Sequence, residues 1–352
     1  MNQILSGAAW TLMNTEPTTR RAWPKFHTRT WYADQVPARA PAPTVQGNPR
    51  FRTVVVGAGL AGLSTALGLA ERGDDSVLVL ERGRVGEGAS GRNGGFVFAG
   101  YSLDNEALIA ARGADEAARM HRWTRESVAR IRARCADWKV PVNDAGVLLA
   151  DGFGRPADVR RFRDRMAEAL AFRLDWLDAE TLKAAVCSDR YDTGLMEPGS
   201  FHFNPLQYAR AVVARLEQIG GRVVEDCPAL RLEQTGHGWR IRTPNATLVA
   251  DRVVLASGGY DDCLAPRWQR CVQPIGTYIM VTEPLGERIH QLIPGGVAVY
   301  DTRFAFDYYR PLPDTRLLWG GRISIADRDP NAIRRLLMRD LLRVFPDLSG
   351  VG

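Results

Sequence analysis

The sequence predicts an α/β protein with two domains, a Rossmann-like domain and a second, α+β domain built on a mixed sheet. Three observations predict this class. The chain has 352 residues, more than a single hydrophobic core usually supports. A glycine run at residues 57–62 stands between an apolar strand and a helix. Residues 273–321 carry several long strand-like runs without a glycine run of that kind, which favours a separate mixed or antiparallel sheet.

The glycine run has the pattern of a dinucleotide-binding turn. It consists of Gly57, Ala58, Gly59, Leu60, Ala61 and Gly62. Strand-like residues 54–56 precede it and helix-like residues 63–72 follow it, which is the context that the pattern requires. Gly57 would allow the sharp turn, Gly59 the approach of a pyrophosphate, and Gly62 close packing of the helix. Because a helix N-terminus attracts negative charge, we expect the phosphates to lie there.

A carboxylate follows the second apolar strand of this unit. Residues 77–80 end at Glu81, which comes 19 positions after Gly62. An acid about 20 positions on binds the ribose in such folds, and it favours a free 2′-hydroxyl over a 2′-phosphate. An ordinary strand-to-helix turn is the alternative reading of the glycines, and the strand, helix and acid together disfavour it.

The segment after Glu81 distinguishes a flavin from a nicotinamide nucleotide. Six of the fourteen residues 82–95 are glycine, where a nicotinamide-binding fold would normally continue into a crossover helix. Such a loop exposes backbone N–H groups that can surround phosphates. A flexible surface loop is the alternative that composition alone allows. The residues expected to contact the cofactor here are Arg82, Ala89, Ser90, Arg92, Asn93, Gly94 and Gly95.

This stretch resembles the FAD-binding signature of the D-amino-acid-oxidase-like flavin amine oxidoreductases. The resemblance rests on Glu81 and residues 85–95, and it covers nearly everything from about residue 51 to the end. It continues at residues 201–206, 278–285, 307–310 and 317–321. It implies an FAD-binding Rossmann-like domain and a mixed-sheet substrate domain, and it adds Leu230 and Gly258 to the predicted FAD-binding residues.

The residues and the resemblance together predict the domain boundaries. Residues 1–50 are expected to be an extended N-terminal lead. The FAD-binding domain is expected to be discontinuous, with residues 51–103 and 203–262. The substrate domain would comprise residues 104–202 and 263–345, and residues 346–352 would be a truncated tail.

Periodicity predicts the remaining elements. Helical spacing appears at residues 104–138, 157–172, 206–219 and 333–342. Short alternating runs at residues 230–232, 239–243 and 247–249 predict a three-stranded meander, followed by a separate buried strand at 252–260. The strands of the substrate sheet are predicted at residues 277–282, 297–300, 304–310 and 316–320.

The reaction implied by the resemblance is the oxidation of a C–N bond. A hydride would leave the carbon next to the nitrogen for flavin N5, and water would hydrolyse the resulting imine. The expected substrate is a small amine or amino acid, such as a secondary or gamma-glutamylated amine, and the final electron acceptor is oxygen or another carrier.

The matching motifs make His202, Tyr308 and Arg310 the candidate catalytic residues. In a strand, Tyr308 and Arg310 would share a face, and Arg310 could pair with a substrate carboxylate. Loop capping by His202, sheet packing by Tyr308 and a structural ion pair of Arg310 are the alternatives.

Two other functions remain open on the residues alone. Members of the family continue past the point where this chain ends, with a glycine-rich segment that contacts the flavin ring. An inactive flavoprotein fragment that binds at most the ADP half of FAD is therefore the alternative to an active enzyme. An NAD-dependent dehydrogenase is the third possibility, and the glycine-rich residues 86–95 speak against it.

Composition bounds the partners and the compartment. The net charge of +6 comes from arginines scattered among acids, whereas binding to nucleic acid favours a clustered basic patch. Five cysteines and five histidines show no metal-binding spacing, and an odd number of cysteines fits a reducing compartment. No signal peptide is evident, and no apolar run approaches the ~20 residues that span a bilayer. We expect a cytoplasmic protein without a membrane span.

Overall fold

The computed structural model describes residues 30–40, 42–260, 264–266, 270–303, 305–325 and 329–352. The helices are α1 (Trp31–Asp34), α2 (Leu60–Ala70), α3 (Asn105–Arg112), α4 (Ala114–Asp137), α5 (Pro156–Leu170), α6 (Ala179–Ala185), α7 (Pro205–Gln218), α8 (Arg288–Leu292) and α9 (Pro330–Val344). The first eight strands are β1 (Arg50–Val56), β2 (Val77–Leu80), β3 (Phe96–Val97), β4 (Val142–Asn143), β5 (Val147–Ala150), β6 (Asp175–Leu177), β7 (Gly194–Glu197) and β8 (Phe201–Phe203). The others are β9 (Arg222–Val224), β10 (Arg231–Thr235), β11 (Gly238–Arg242), β12 (Thr247–Leu255), β13 (Gly276–Val281), β14 (Ala298–Asp301), β15 (Tyr308–Pro311) and β16 (Leu317–Ser324).

The first sheet is the Rossmann-like sheet that the glycine run predicts. Its six strands have the order β10-β11-β12-β1-β2-β9, and β12, β1, β2 and β9 run parallel. Both faces of β1 are buried: Val55 belongs to a core shared with α2 and α7, and Val54 to a core shared with the meander. A parallel strand covered on both sides reads as a continuous apolar run, as residues 54–56 do.

The predicted meander is confirmed, but its third strand extends further than expected. The sequence predicts a strand ending at residue 249 and a separate strand from residue 252, whereas β12 continues without a break from Thr247 to Leu255. Its first part pairs antiparallel with β11, and its second part pairs parallel with β1. Residues Ala250 and Asp251 lack the glycine or proline that would end a strand, so the chain stays extended through them.

The second sheet has seven strands in the order β13-β16-β15-β14-β5-β7-β6. The β14–β5 pair is parallel and every other pair is antiparallel, which confirms the mixed sheet. Its core contains Tyr309 and Trp319, whose rings stack with centroids 4.6 Å apart. The helix predicted at residues 333–342 is α9, which packs on this core through Leu337 and Leu341. The strand predicted from residue 304 begins only at Tyr308, and Phe304 lies outside the described residues.

The third sheet has three strands. Its order is β3-β8-β4, with β8 in the centre. Phe201 and Phe203 of β8 pack into the core of the Rossmann-like sheet.

The strands of the six-stranded sheet fall within residues 50–80 and 222–255, and those of the seven-stranded sheet within 147–197 and 276–324. The domain boundaries themselves stay a prediction.

The N-terminal lead departs from the predicted extended chain where it is described. Thr30 Oγ1 accepts a hydrogen bond from Ala33 N–H and caps the one-turn helix α1. Tyr32 in this helix is buried beside Leu206, Leu312 and Leu318. Burial of an aromatic ring therefore anchors residues 31–34 on the folded chain.

Three further observations concern the part of the chain that the structure describes. Its helices are too short or too polar to cross a membrane. It contains no group of three or more His, Cys, Asp or Glu side chains placed to hold a metal ion. Its cysteines Cys135, Cys187, Cys227 and Cys271 are free thiols, and Cys263 lies outside the described residues.

Candidate active site

The glycine run lies at the carboxyl end of β1, where the chain turns into α2. Gly57 has a φ of +108°, and a Cβ there would lie 2.6 Å from the carbonyl oxygen of Ala256. A Cβ at Gly62 would lie 1.9 Å from the carbonyl oxygen of Gly57. Both positions therefore exclude any larger residue, because the helix and two strand ends meet there.

The N-terminus of α2 is open for an anion. Gly59 is the N-cap residue and supplies no side-chain cap. The N–H of Leu60 donates to Ser90 Oγ at 2.9 Å, and Ala61 in the first turn is exposed. Ser90, predicted as a cofactor contact, thus reaches the end of the helix where phosphates are favoured.

Glu81 lies beside the glycine run, as a ribose-binding carboxylate should. Its Oε2 accepts from Ala58 N–H at 2.7 Å, and its Oε1 accepts from Gly83 N–H at 2.9 Å. The carboxylate is only half-buried. It is therefore held in a fixed orientation at the edge of the sheet while it keeps acceptor capacity for a hydroxyl group.

Side chains of residues 82–95 fix the conformation of this loop by hydrogen bonds to its own backbone. Asn93 Nδ2 donates to Ser90 O at 2.8 Å, and Asn93 Oδ1 accepts from Gly95 N–H at 2.8 Å. Arg92 Nε donates to the carbonyl oxygen of Glu87 at 2.5 Å, and burial lowers the pKa of its guanidinium. These contacts disfavour the reading as a flexible surface loop. Contact of Arg92 and Asn93 with the cofactor stays a prediction.

Tyr260, which the sequence reasoning missed, joins this loop to the end of β12. Its hydroxyl accepts from Ala89 N–H at 3.2 Å, and a Cβ at Gly88 would lie 2.9 Å from its ring. Gly258, two residues earlier, has a φ of +60° and turns the chain after the strand. The sequence Gly258-Gly259-Tyr260 could have indicated this contact, because an aromatic ring beside a glycine turn can pack against backbone.

Two predicted cofactor residues differ in their placement. Arg82 Nη1 donates to the carbonyl oxygen of Tyr260 at 3.5 Å, at the mouth of the loop. Leu230 lies just before β10 with its side chain 42% exposed, and its N–H donates to Arg242 O at 2.7 Å. A cofactor contact of Leu230 stays a prediction.

The structure brings His202 and Arg310 together. Arg310 Nη1 donates to His202 Nδ1 at 3.2 Å, and His202 Nε2 lies 3.1 Å from the carbonyl oxygen of Gly296. His202 is 1% exposed and Arg310 3% exposed. Burial, reinforced by the charge of Arg310, lowers the pKa of His202 to about 3. His202 is therefore neutral in the folded chain at pH 7.

Arg310 also ties three separate segments together. Its Nε donates to Gly94 O at 2.6 Å, and its Nη2 donates to Phe203 O at 2.8 Å and to Tyr32 Oη at 2.9 Å. Tyr32 Oη in turn donates to Asn93 O at 3.0 Å. Four of the five guanidinium protons are thus engaged within the chain. Pairing of Arg310 with a substrate carboxylate stays a prediction, and these contacts do not favour it.

Tyr308 lies directly against the glycine-rich loop. A Cβ at Gly94 would lie 2.9 Å from its ring, and its centroid is 5.8 Å from that of Phe96. Tyr309 points to the opposite side, into the core of the seven-stranded sheet. The prediction that Tyr308 and Arg310 share one face is confirmed by their common approach to Gly94 and Gly95.

A row of aromatic rings continues from Tyr308 away from the loop. The Tyr308 and Phe306 centroids are 6.0 Å apart, those of Phe306 and Tyr300 are 5.7 Å apart, and those of Tyr300 and Phe98 are 5.2 Å apart. Phe98 and Phe306 are about two-fifths exposed. The sequence reasoning missed this row because Phe98 follows β3 whereas the other members lie in or between β14 and β15, so no local pattern reveals it.

These features fit a flavin adenine dinucleotide. The close approach at Gly57 and Gly62, the open end of α2 and the carboxylate of Glu81 suit the pyrophosphate and the ribose of the ADP half. The loop fixed by Asn93 and Arg310 leads from there to the aromatic face of Tyr308. An aromatic face suits a substrate that must lose water before it reacts.

Comparisons with known proteins agree with this reading. A family model described as FAD dependent oxidoreductase matches residues 52–352. Gamma-glutamylputrescine oxidoreductase of Escherichia coli (strain K12) is 33% identical over 329 residues, which cover 92% of this chain and 77% of that protein. Probable oxidoreductase OrdL of Rhizobium meliloti (strain 1021) is 28% identical over 326 residues, which cover 91% of this chain and 75% of that protein.

Solved structures share the fold. L-proline dehydrogenase from P. horikoshii superposes with a TM-score of 0.68 at 14% identity, covering 86% of this chain and 79% of that chain. Glycine oxidase from Geobacillus kaustophilus superposes with a TM-score of 0.66 at 18% identity, covering 87% of this chain and 80% of that chain. The predicted fold class and the resemblance to D-amino-acid-oxidase-like enzymes are confirmed. The chain belongs to the FAD dependent oxidoreductase family, and FAD is its cofactor.

Proposed function

We propose that this enzyme oxidises the C–N bond of a small amine or amino acid, with a gamma-glutamylputrescine-like amine as the first candidate. The observation that carries the proposal is the aromatic face of Tyr308 beside Gly94, at the end of the loop that follows the nucleotide site. The name of the 33% identical relative supports this choice of substrate.

The reaction requires a neutral amine, because a protonated nitrogen has no lone pair to form the C=N bond. For an amine with a pKa near that of lysine, ~10.4, deprotonation at pH 7 costs about 4–5 kcal/mol. Rings such as Tyr308 and Phe306 would exclude water from the bound amine and lower its pKa. That would reduce the cost without a dedicated general base.

FAD supplies the hydride acceptor when it is bound. The amine would give up that hydride from the carbon next to nitrogen, the nitrogen lone pair would form the C=N bond, and water would hydrolyse the resulting imine. The chain's own contribution is to orient the substrate on the aromatic face and to hold Gly94 and Gly95 in place through Arg310. His202 contributes to this by accepting from Arg310.

The test is the visible absorption spectrum of the purified chain after dialysis with FAD, recorded anaerobically before and after adding amines. We expect flavin bands that bleach with gamma-glutamylputrescine and do not bleach with the matching alcohol. Retained flavin that no amine bleaches would overturn the proposed reaction. A chain that binds ADP but keeps no flavin would instead support the alternative, an inactive flavoprotein that holds only the ADP half of FAD.

A further inference from the structure

A second polar site lies at the far end of the aromatic row. It is a cavity of about 40 Å³ between the seven-stranded sheet and helices α3 and α5. Its polar lining residues are Glu197, Asn105 and Tyr300, and its remaining lining is mainly apolar. A cavity of this size has room for a group as large as one or two water molecules.

Glu197 brings a carboxylate to this cavity without a cationic partner. Its Oε1 accepts from Ala99 N–H at 2.6 Å. No lysine or arginine among the described residues forms an ion pair with it. Burial raises the pKa of its carboxyl to about 7. An acid in such surroundings gains from any cation that enters, because the charge of the carboxylate is then compensated.

Asn105 supplies a second acceptor. Its Nδ2 donates to Met166 Sδ at 3.2 Å, which orients the amide. Its Oδ1 is buried and has no hydrogen-bond partner among the residues that the structure describes. An unpaired amide oxygen in a cavity carries a desolvation cost that a donor from a ligand would remove. Glu197 and Asn105 therefore both offer acceptors to a ligand with N–H groups, and the ring of Tyr300 forms one side of the cavity.

The aromatic row connects this cavity with the nucleotide loop. Tyr308 contacts Gly94, and only Phe306 stands between Tyr308 and Tyr300 in the row of ring contacts. A ligand bound at Glu197 with its reacting carbon near Gly94 must therefore span several bonds. The group at Glu197 is consequently not the reacting nitrogen.

From this arrangement we propose that Glu197, Asn105 and Tyr300 form a subsite for a second, distal ammonium group of the substrate. The inference rests on the proposed amine oxidation and narrows it to amines that carry another cationic nitrogen. An ammonium group offers three donors and no acceptor, which matches an amide oxygen and a carboxylate oxygen. It also gains from a neighbouring aromatic ring.

Binding is tested with an ammonium ion that cannot be oxidised. Tert-butylammonium has no hydrogen on the carbon next to nitrogen, and tert-butanol is its neutral counterpart. Only the ammonium group would enter the cavity, and the methyl groups would remain at its opening. Isothermal titration of the FAD-loaded chain should show tighter binding of tert-butylammonium. Glu197→Gln, which keeps an acceptor for Ala99 N–H, should weaken that binding about tenfold, the value of one charge-assisted hydrogen bond. It should leave tert-butanol unaffected.

Two further variants make the result specific. Asn105→Ala should weaken binding of tert-butylammonium without touching the carboxylate. Glu126→Gln removes the same charge from an exposed position on α4 and should change nothing. Wild-type binding no tighter than that of tert-butanol, or equal binding in Glu197→Gln with an unchanged thermal melt, would overturn the subsite.

Turnover separates this inference from the proposed reaction. The ratio of KM values for butylammonium and butane-1,4-diammonium should exceed one in the wild type and approach one in Glu197→Gln. A ratio that Glu197→Gln leaves unchanged contradicts the subsite. If tert-butylammonium binds as expected but no amine bleaches the flavin, the subsite stands as a cation site and the oxidation is wrong.

Discussion

Arg310 and His202 are joined by one hydrogen bond of 3.2 Å, from Nη1 to Nδ1. A guanidinium can only donate, so Nδ1 must be the acceptor and the imidazole proton must lie on Nε2. Nε2 then donates to Gly296 O at 3.1 Å. The two contacts assign the tautomer of a neutral ring, and they occupy both nitrogens. Proton transfer by His202 would require one of these bonds to break.

The neutral state of His202 predicts a loss of stability in acid. Its pKa is lowered from 6.5 to about 3, so the stability it provides is fully present above pH 6.5 and is lost as the pH falls toward 3. At about 1.4 kcal/mol per pH unit, the free energy of unfolding should drop by about 2 kcal/mol between pH 6.5 and 5 on this account. Urea unfolding at these two pH values measures it.

The variant His202→Gln isolates this contribution. Glutamine does not titrate, so its free energy of unfolding should fall less between the two pH values. His121 is also buried with a pKa lowered to about 4, and both proteins retain it, so its contribution cancels in the comparison. Equal slopes for wild type and His202→Gln would show that His202 is not held neutral.

Arg310→Met should destabilise the chain and release FAD. The substitution leaves the carbonyl oxygens of Gly94 and Phe203 without their donors, at about 1–3 kcal/mol for each buried group. Because Gly94 belongs to the loop that follows the nucleotide site, flavin retention after gel filtration should fall together with the melting temperature. Arg50→Met, which breaks an exposed pair with Asp251, is the control and should stay within about 0.5 kcal/mol. Full flavin retention with a raised KM for carboxylated amines would instead favour substrate binding by Arg310.

Glu81→Gln should weaken the binding of ADP. The amide keeps the size of the side chain but removes the charge that would accept from the ribose, so a loss of about tenfold is expected. Titration calorimetry with ADP measures it, and Glu71→Gln, beyond the other end of α2, serves as the control. An unchanged affinity for ADP in Glu81→Gln would place the ribose elsewhere.

Replacing each of two glycines of α2 by alanine should have opposite effects on the stability of the chain. Gly62→Ala places a Cβ 1.9 Å from Gly57 O and should destabilise the chain by several kcal/mol or prevent its folding. At Gly68 the new Cβ meets only the flexible end of Arg72, at 3.0 Å. Gly68→Ala should therefore gain up to about 1 kcal/mol from helix propensity. Thermal melts compare the two, and a tolerated Gly62→Ala would contradict the tight packing at the strand end.

Local patterns were sufficient for the nucleotide half of the site. The strand, the glycine run and Glu81 lie within one short stretch, so their spacing reports their geometry directly. Alternation along a strand likewise predicted that Tyr308 and Arg310 share a face. The continuous β12 was missed because its two halves have different partners, and each half alone resembles a complete strand.

The substrate half could not be predicted in the same way. Arg310 contacts Tyr32, Gly94 and His202, which come from three other, distant parts of the chain, and no spacing in the sequence predicts these contacts. The role expected for Arg310 was inferred from its charge, but in the structure it donates to two backbone carbonyls and to the side chains of His202 and Tyr32. Glu197 shows the converse: its sequence context is unremarkable, and only the folded chain shows that its half-buried carboxylate accepts from Ala99 N–H and has no cationic partner among the described residues.

The pairing of β12 with strands on both sides affects the position of the nucleotide site. Because it is bonded to β11 on one side and to β1 on the other, the hairpin of β10 and β11 is in register with the nucleotide turn. A one-residue slip of β12 against β1 would exchange its inward and outward side chains and would carry Gly258 and Tyr260 away from the loop they support. Insertions in the hairpin tip at residues 236–237 should be harmless, whereas a single residue inserted between Ala250 and Val253 should abolish cofactor binding. The meander therefore fixes the position of β12, and with it that of Gly258 and Tyr260, relative to the nucleotide turn.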